Sequence, residues 1–132
     1  MSRNATVFYC TIYLCTGAYA VELEDDKARS DEAMRLARDE AAKYQVLRGE
    51  EFDELRLWPD PILRWSNPVS GQLYGWVFVW THRGRPEAIA SIYKWYSPHR
   101  HMGIEFHSLA TAGLVTRRGG KQSGSRNLPV CA

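Results

Sequence analysis

Long apolar stretches are missing from this chain of 132 residues. The nearest approach, Ala5 to Ala20, is uncharged but interrupted by Thr6, Thr11 and Thr16. A membrane-spanning helix needs about 20 predominantly apolar residues, so no transmembrane anchor is expected in the mature chain. Cysteine is scarce too. Of three, Cys10 and Cys15 lie in that opening run and Cys131 lies near the other end. A lone Cys131 cannot close an internal bridge, so a fold beginning near Val21 must rest on its core. Also absent are G-x-S-x-G, H-E-x-x-H, a P-loop, a dinucleotide fingerprint and C-x-x-C. Their absence excludes the best-marked hydrolase, metalloprotease, nucleotide-binding and thiol-redox classes. Ser66, Ser91 and Ser97 have no identifiable His and acid partners in the sequence, and no cofactor is implied.

The opening run has its own reading. Arg3 supplies a short positive region, the uncharged stretch follows, and Gly17-Ala18-Tyr19-Ala20 closes it with small residues. That order is the order of a cleavable secretory signal peptide. Residues 1–20 are therefore expected to be removed, leaving an exported protein, periplasmic or extracellular, that starts at Val21. The competing reading is a buried first strand, since Thr, Val, Phe, Tyr and Ile favour strands. A lipid anchor at Cys15 is not expected, because Ile12-Tyr13-Leu14 precede it. The sequon Asn4-Ala5-Thr6 falls in the removed segment.

Charge is unevenly spread beneath a formal net of +2. Val21 to Asp60 holds thirteen acids against seven Lys and Arg, whereas Pro61 to Ala132 holds nine Lys and Arg against two acids. Asymmetry of this kind can mark nucleic-acid or membrane contact. Its plainer meaning is an acidic helix facing a basic sheet within one fold, and export argues against nucleic acid as a partner. Arg117 to Ala132 is rich in Gly and Ser and poor in large apolar residues, so 117–132 is expected to be a disordered basic tail. The abrupt change at Gly119 would equally suit a shortened form of a longer protein. That leaves 21–116 as a single domain.

Asp25 to Leu47 lacks Gly and Pro and is dense in Ala, Glu, Arg and Leu, which predicts a helix stopped by Gly49. Its stripe of Ala33, Ala37, Ala41 and Tyr44, with Met34 alongside, is small-sided, suited either to lying close on a sheet or to being mostly solvated. Short strands are expected at Leu55 to Trp58 and Leu63 to Ser66. Three longer ones, Gln72–Thr81, Glu87–Tyr96 and His101–Leu109, are joined by Arg83-Gly84 and by Ser97 to Arg100, an antiparallel meander. The expected fold is α+β, one N-terminal helix packed on a four- or five-stranded antiparallel sheet. Counting from a tip at Arg83-Gly84 sets Val79 against Ala88 and Val77 against Ala90. Counting across the next turn sets Tyr93 against Ile104. One face then carries Tyr74, Trp76, Phe78, Trp80, Ile89, Tyr93, Trp95, Met102, Ile104 and Phe106, expected to be core. The other carries Leu73, Gly75, Val77, Val79, Ala88, Ala90, Ile92, Lys94, His101, Gly103, Glu105 and His107. Exposed, a surface of large rings would instead suit stacking on sugar rings or aromatic ligands.

Glu105 and His107 are the residues that best fit a site. Two apart on one strand, they would project in parallel ~7 Å apart, close enough to share a metal ion, with Lys94 on the same face. The candidate binding residues are thus Lys94, Glu105 and His107, with Glu105 and His107 as the metal ligands and no catalytic residue assigned. A catalytic zinc usually has three protein ligands, so His82 or His99 would have to supply the third. Without it, the pair belongs to the solvated face of a sheet.

Several phrases form a wider pattern: Arg64-Trp-Ser-Asn-Pro-Val69, Tyr74-Gly-Trp-Val-Phe-Val-Trp-Thr81, Gly84-Arg-Pro-Glu87, Ser91-Ile-Tyr-Lys-Trp95 and Glu105-Phe-His-Ser-Leu109. Over residues 56 to 115 the chain resembles a group of exported proteins of planctomycete bacteria. The resemblance implies export and a bacterial source. It brings no catalytic motif and no activity, and members of the group tend to run on past this C-terminus. The function expected is a non-enzymatic binding or interaction module for an unspecified small molecule or protein. The alternative is a metal-assisted or acid/base enzyme using Glu105 and His107.

Overall fold

The computed structural model describes residues 24–67, 69, 72–119 and, for the backbone, 121–122. The expected signal segment and residues 123–132 lie outside the described residues. The chain divides into two compact units, Met1–Glu32 and Ala33–Ala132.

Residues 24–41 are helical (α1). In the first unit, α1 is laced by i,i+4 ion pairs, Asp25 with Arg29 and Lys27 with Asp31 at 2.7 Å. In the second, Ala33, Ala37 and Ala41 are almost wholly buried, which decides between the two readings of the stripe. The helix ends six residues before Leu47, the expected limit. Ala42 and Lys43 close it with N–H bonds to Arg38 and Glu40, and Tyr44–Arg48 turns into a strand, β1. Tyr44 and Val46 belong to the residue types that fit a pleated surface. The pairing of Val46 with Thr116 supplies a ladder that no local count can see.

The remaining strands are β2 (Asp53–Glu54), β3 (Arg56–Leu57), β4 (Leu63–Ser66), β5 (Gln72–His82), β6 (Arg85–Ser97), β7 (Met102–Ser108), β8 (Leu114–Arg118) and β9 (Lys121–Gln122). They form two antiparallel sheets. The five-stranded one runs β3-β5-β6-β7, with β4 also on β5, and holds the expected meander. The four-stranded one, β2-β1-β8-β9, is an addition to the expected fold. In it Arg117 and Arg118 pair with Gln45 and Tyr44, so the first two residues of the expected tail are ladder residues. The fold is α+β.

Arg83 and Gly84 both have positive φ, 49° and 81°, the two-residue hairpin turn in which both central residues are left-handed. The turn sits where the sequence places it, yet the register beyond it does not. His82 faces Arg85 and Thr81 faces Pro86, but Trp80 faces Ala88. Glu87 is an extra residue, a β-bulge, and a one-residue slip moves every following side chain to the other face. Val77 therefore faces Ser91, not Ala90. The β6–β7 pairing is displaced by one as well, with Tyr93 opposite Gly103. Two displacements cancel, so β5 and β7 have the expected faces and only β6 is inverted. Tyr93 does not share a face with Phe106, contrary to expectation.

The inner face of the five-stranded sheet is thus Tyr74, Trp76, Phe78 and Trp80, then Ala88, Ala90 and Ile92, then Met102, Ile104 and Phe106. These residues join Ala33, Ala37 and Ala41 of α1 and Val46, Leu55 and Leu114 in one core. Large rings on β5 alternate with alanines on α1 and β6, which lets the layers approach closely. Burying each such ring is worth ~1.5–3 kcal/mol. Trp80 and Phe106 touch at 5.3 Å between centroids, and Phe106 meets Tyr44 of β1 at 5.0 Å.

Glu40 at the end of α1 is bound through both oxygens by Arg118 of β8, Nε to Oε1 at 2.7 Å and Nη2 to Oε2 at 3.1 Å. Those bonds hold the Glu40 carboxyl below the usual carboxylate range. Glu87, at the bulge, is buried with Arg48 Nε 3.4 Å and Arg85 Nε 3.7 Å from its carboxylate.

Candidate functional site

The outer face of the five-stranded sheet holds the candidate residues, and its composition follows from the register. One transverse row reads Trp65, Gly75, Tyr93, Gly103, each directly opposite the next on β4, β5, β6 and β7. The row beside it reads Leu63, Val77, Ser91, Glu105, and the one after that Val79, Ile89, His107. At the other end Leu73 faces Trp95.

In the glycine row each ring leans over the glycine beside it. A Cβ on Gly75 would lie 2.3 Å from the Trp65 indole, and a Cβ on Gly103 would lie 2.3 Å from the Tyr93 ring. Here the lack of a side chain is required, because the ring fills the place a side chain would take. Both rings are only partly buried and stand 5.8 Å apart between centroids. Their polar ends reach the next row. Trp65 Nε1 donates to Ser91 Oγ at 3.1 Å, and the Tyr93 hydroxyl donates to Glu105 Oε1 at 3.3 Å. Burial raises the Tyr93 hydroxyl above its ordinary pKa, and the Glu105 carboxylate adds to the rise. The phenol is therefore held neutral, as a donor.

Trp95 continues the aromatic surface. Its ring stacks on His101 at 5.8 Å with 15° between planes, and His99 lies 6.5 Å from His101. The result is a half-solvated band with Trp65, Tyr93 and Trp95 as ring surfaces and Ser91, Glu105, His107 and His101 as polar edges.

The sequence-predicted residues are divided by this arrangement. Glu105 and His107 do share the outer face, two apart on β7. Lys94 does not join them. It is opposite Met102 on the inner face, with its Nζ 5.6 Å from the Tyr96 ring. Ala88 and Ala90, expected beneath the pair, are inner-face residues for the same reason, the bulge at Glu87; Gly75 alone of the expected floor lies outward. His99 sits beside His101, at the Trp95 end. Among the described residues no three His, Cys, Asp or Glu side chains converge to hold a metal ion. Glu105 is an acceptor for Tyr93, and the His107 imidazole has no partner among the described side chains.

The residue that sequence reasoning missed is Tyr93. The signal for it was available in Gly75 and Gly103, since a glycine within a strand marks a close approach. Two of them at positions able to oppose one aromatic residue point to a ring lying across the sheet. No protein-family model, no curated protein and no solved structure matches this chain.

Proposed function

We propose that this is an exported, non-enzymatic binding module whose ligand lies across the outer face of the five-stranded sheet. The observation that carries the reading is the glycine row. Trp65 and Tyr93 are laid over Gly75 and Gly103 and fixed at their tips by Ser91 and Glu105. Rings held this way present π-faces at little further cost in conformational freedom, the advantage of preorganisation in binding. Such a surface fits ring-shaped ligands, pyranose sugars above all, which stack an apolar ring face on an aromatic plane and present hydroxyls at the rim. Glu105 and Ser91 offer acceptors there, and His101 and His107 offer either a donor or an acceptor. Export is part of the same proposal, supported by the order of charge and small residues in residues 1–20.

Titration with cellotetraose and chitotetraose, followed by amide chemical shifts, tests this. The expected shifts map to β4, β6 and β7. Trp95→Ala and Tyr93→Ala should each weaken binding about tenfold, equivalent to ~1.4 kcal/mol, with the fold intact. Absence of saturable shifts with both sugars would remove the sugar reading. Shifts confined to other surfaces would remove the site.

A further inference from the structure

A second surface adjoins the aromatic band at Leu63 and rests on different observations. β3 and β4 both pair with β5, Leu57 opposite Trp80 and Leu63 opposite Val77. Residues 58–62 leave the sheet edge between them and return to it. Both feet of this excursion are tied down. Trp58 N–H donates to the Val79 carbonyl at 2.8 Å and Ile62 N–H to the Val77 carbonyl at 2.9 Å. Its crown is Pro59-Asp60-Pro61, where the two prolines fix φ. Asp60 accepts from Arg38 Nη2 of α1 at 2.7 Å.

So braced a segment has the means to turn its apolar side chains inward, yet it does the reverse. Trp58 is 55% exposed, Ile62 61% and Leu63 57%. Three large apolar side chains within six residues form a concentrated apolar tip, which is the kind of exposure that marks interaction surfaces.

Beside the tip lies a cleft of about 540 Å³ whose lining includes Arg56, Trp58, Asp60, Thr81 and Arg83. Arg56 is opposite Thr81, and Arg83 follows Thr81 by two residues, in the turn. Neither guanidinium has a partner among the described side chains. Asp60 is already paired with Arg38, so the charge left over in the cleft is positive.

Apolar tips beside unpaired arginines fit an anionic phospholipid surface. Tryptophan settles at the headgroup level of a bilayer, aliphatic side chains enter the acyl boundary, and arginine binds phosphate through its planar fork. We infer that the 58–62 excursion docks on an anionic phospholipid surface, Arg56 and Arg83 taking headgroup phosphate while Trp58, Ile62 and Leu63 enter the interface. No described helix is long and apolar enough to cross a membrane.

Co-sedimentation of the full chain with vesicles decides it. Binding is expected to vesicles of phosphatidylglycerol mixed with phosphatidylcholine, and to be at least about tenfold weaker to phosphatidylcholine alone. It should weaken as salt rises from about 50 to 200 mM, because exposed charges are screened. The double variant Arg56→Ala with Arg83→Ala should lose about tenfold or more, and Trp58→Ser with Ile62→Ser a comparable amount. All four residues lie at the surface or sheet edge, so unchanged melting curves will separate lost docking from lost fold. Failure to bind the anionic vesicles overturns the inference, as does undiminished binding by the arginine variant. Inorganic phosphate bound at Arg56 and Arg83 without any vesicle binding also overturns it and leaves a site for soluble anions.

Discussion

The two faces of the five-stranded sheet both carry large aromatic residues, and they dispose of them differently. On the inner face Trp76, Phe78 and Trp80 are covered by another layer, the alanines of α1. On the outer face Trp65 and Tyr93 have no layer of described residues above them and are accommodated within the sheet, each over a glycine of the neighbouring strand. The small residue that receives a ring thus lies across the layer in one case and across the strand in the other. The first arrangement removes the ring from water. The second fixes its orientation and leaves a face available.

The sharpest way to break this comparison is to remove one ring from each face. Trp80→Ala should cost ~3–5 kcal/mol, as large-to-small changes do in a packed core, whereas Trp95→Ala should cost under ~1 kcal/mol, in the range of surface changes. Urea unfolding of both variants checks it, and equal losses would mean that both faces are core. A smaller effect is expected from filling the glycine row. Gly75→Ala puts a methyl into the Trp65 ring, and Gly103→Ala does the same to Tyr93. Each should cost ~1–3 kcal/mol, the usual range for overpacking. Gly75→Ala should also shift the Trp65 Nε1 proton resonance as its bond to Ser91 breaks. Native-like spectra for both would show that the rings do not depend on the glycines.

Smaller still is the pair that fastens α1 to β8. Arg118 is half exposed, so Glu40→Gln should cost no more than ~1 kcal/mol. The Glu40 pKa is lowered by folding, so its contribution is present above the unfolded value of ~4.3. It fades as pH falls through the lower folded value. Wild type should therefore lose its advantage over Glu40→Gln on acidification, seen as converging melting temperatures. Tyr93→Phe should have the least effect, under ~1 kcal/mol, since its hydroxyl bonds an exposed carboxylate. Because folding raises the Tyr93 pKa, the neutral phenol favours the folded state up to the unfolded value of ~10. That contribution disappears as pH rises through the folded value, so only the wild type should show this alkaline loss.

What the sequence made legible and what it hid have identifiable causes. The turn at Arg83-Gly84, the bounds of β4 and the faces of β5 and β7 follow from local chemistry: positive φ, proline breaks and strict alternation. The pairing of β1 with β8 joins residues about seventy positions apart, so Tyr44 to Leu47 read as more helix and Arg117-Arg118 as tail. The inversion of β6 depends on Glu87 alone, and nothing near Glu87 in sequence marks it as extra. Glu105 and His107 were found together because β7 is regular. Lys94 was misplaced and Tyr93 missed through the same single residue.

Glu87 has no opposite number in β5, and neither does Tyr96, since Gln72 faces Ser97 while Leu73 faces Trp95. Exchanging side chains one at a time lets a lineage adjust either surface gradually. Losing the codon for Glu87 is a different event. It would restore the count set by the turn, send Tyr93 and Trp95 toward the alanines of α1, and bring Ala88, Ala90 and Ile92 into water. Descendants of this chain should accordingly vary in residue identity between Gly84 and Pro98 while holding the number of residues there constant, and a survey of related genomes for in-frame gaps within that span measures it.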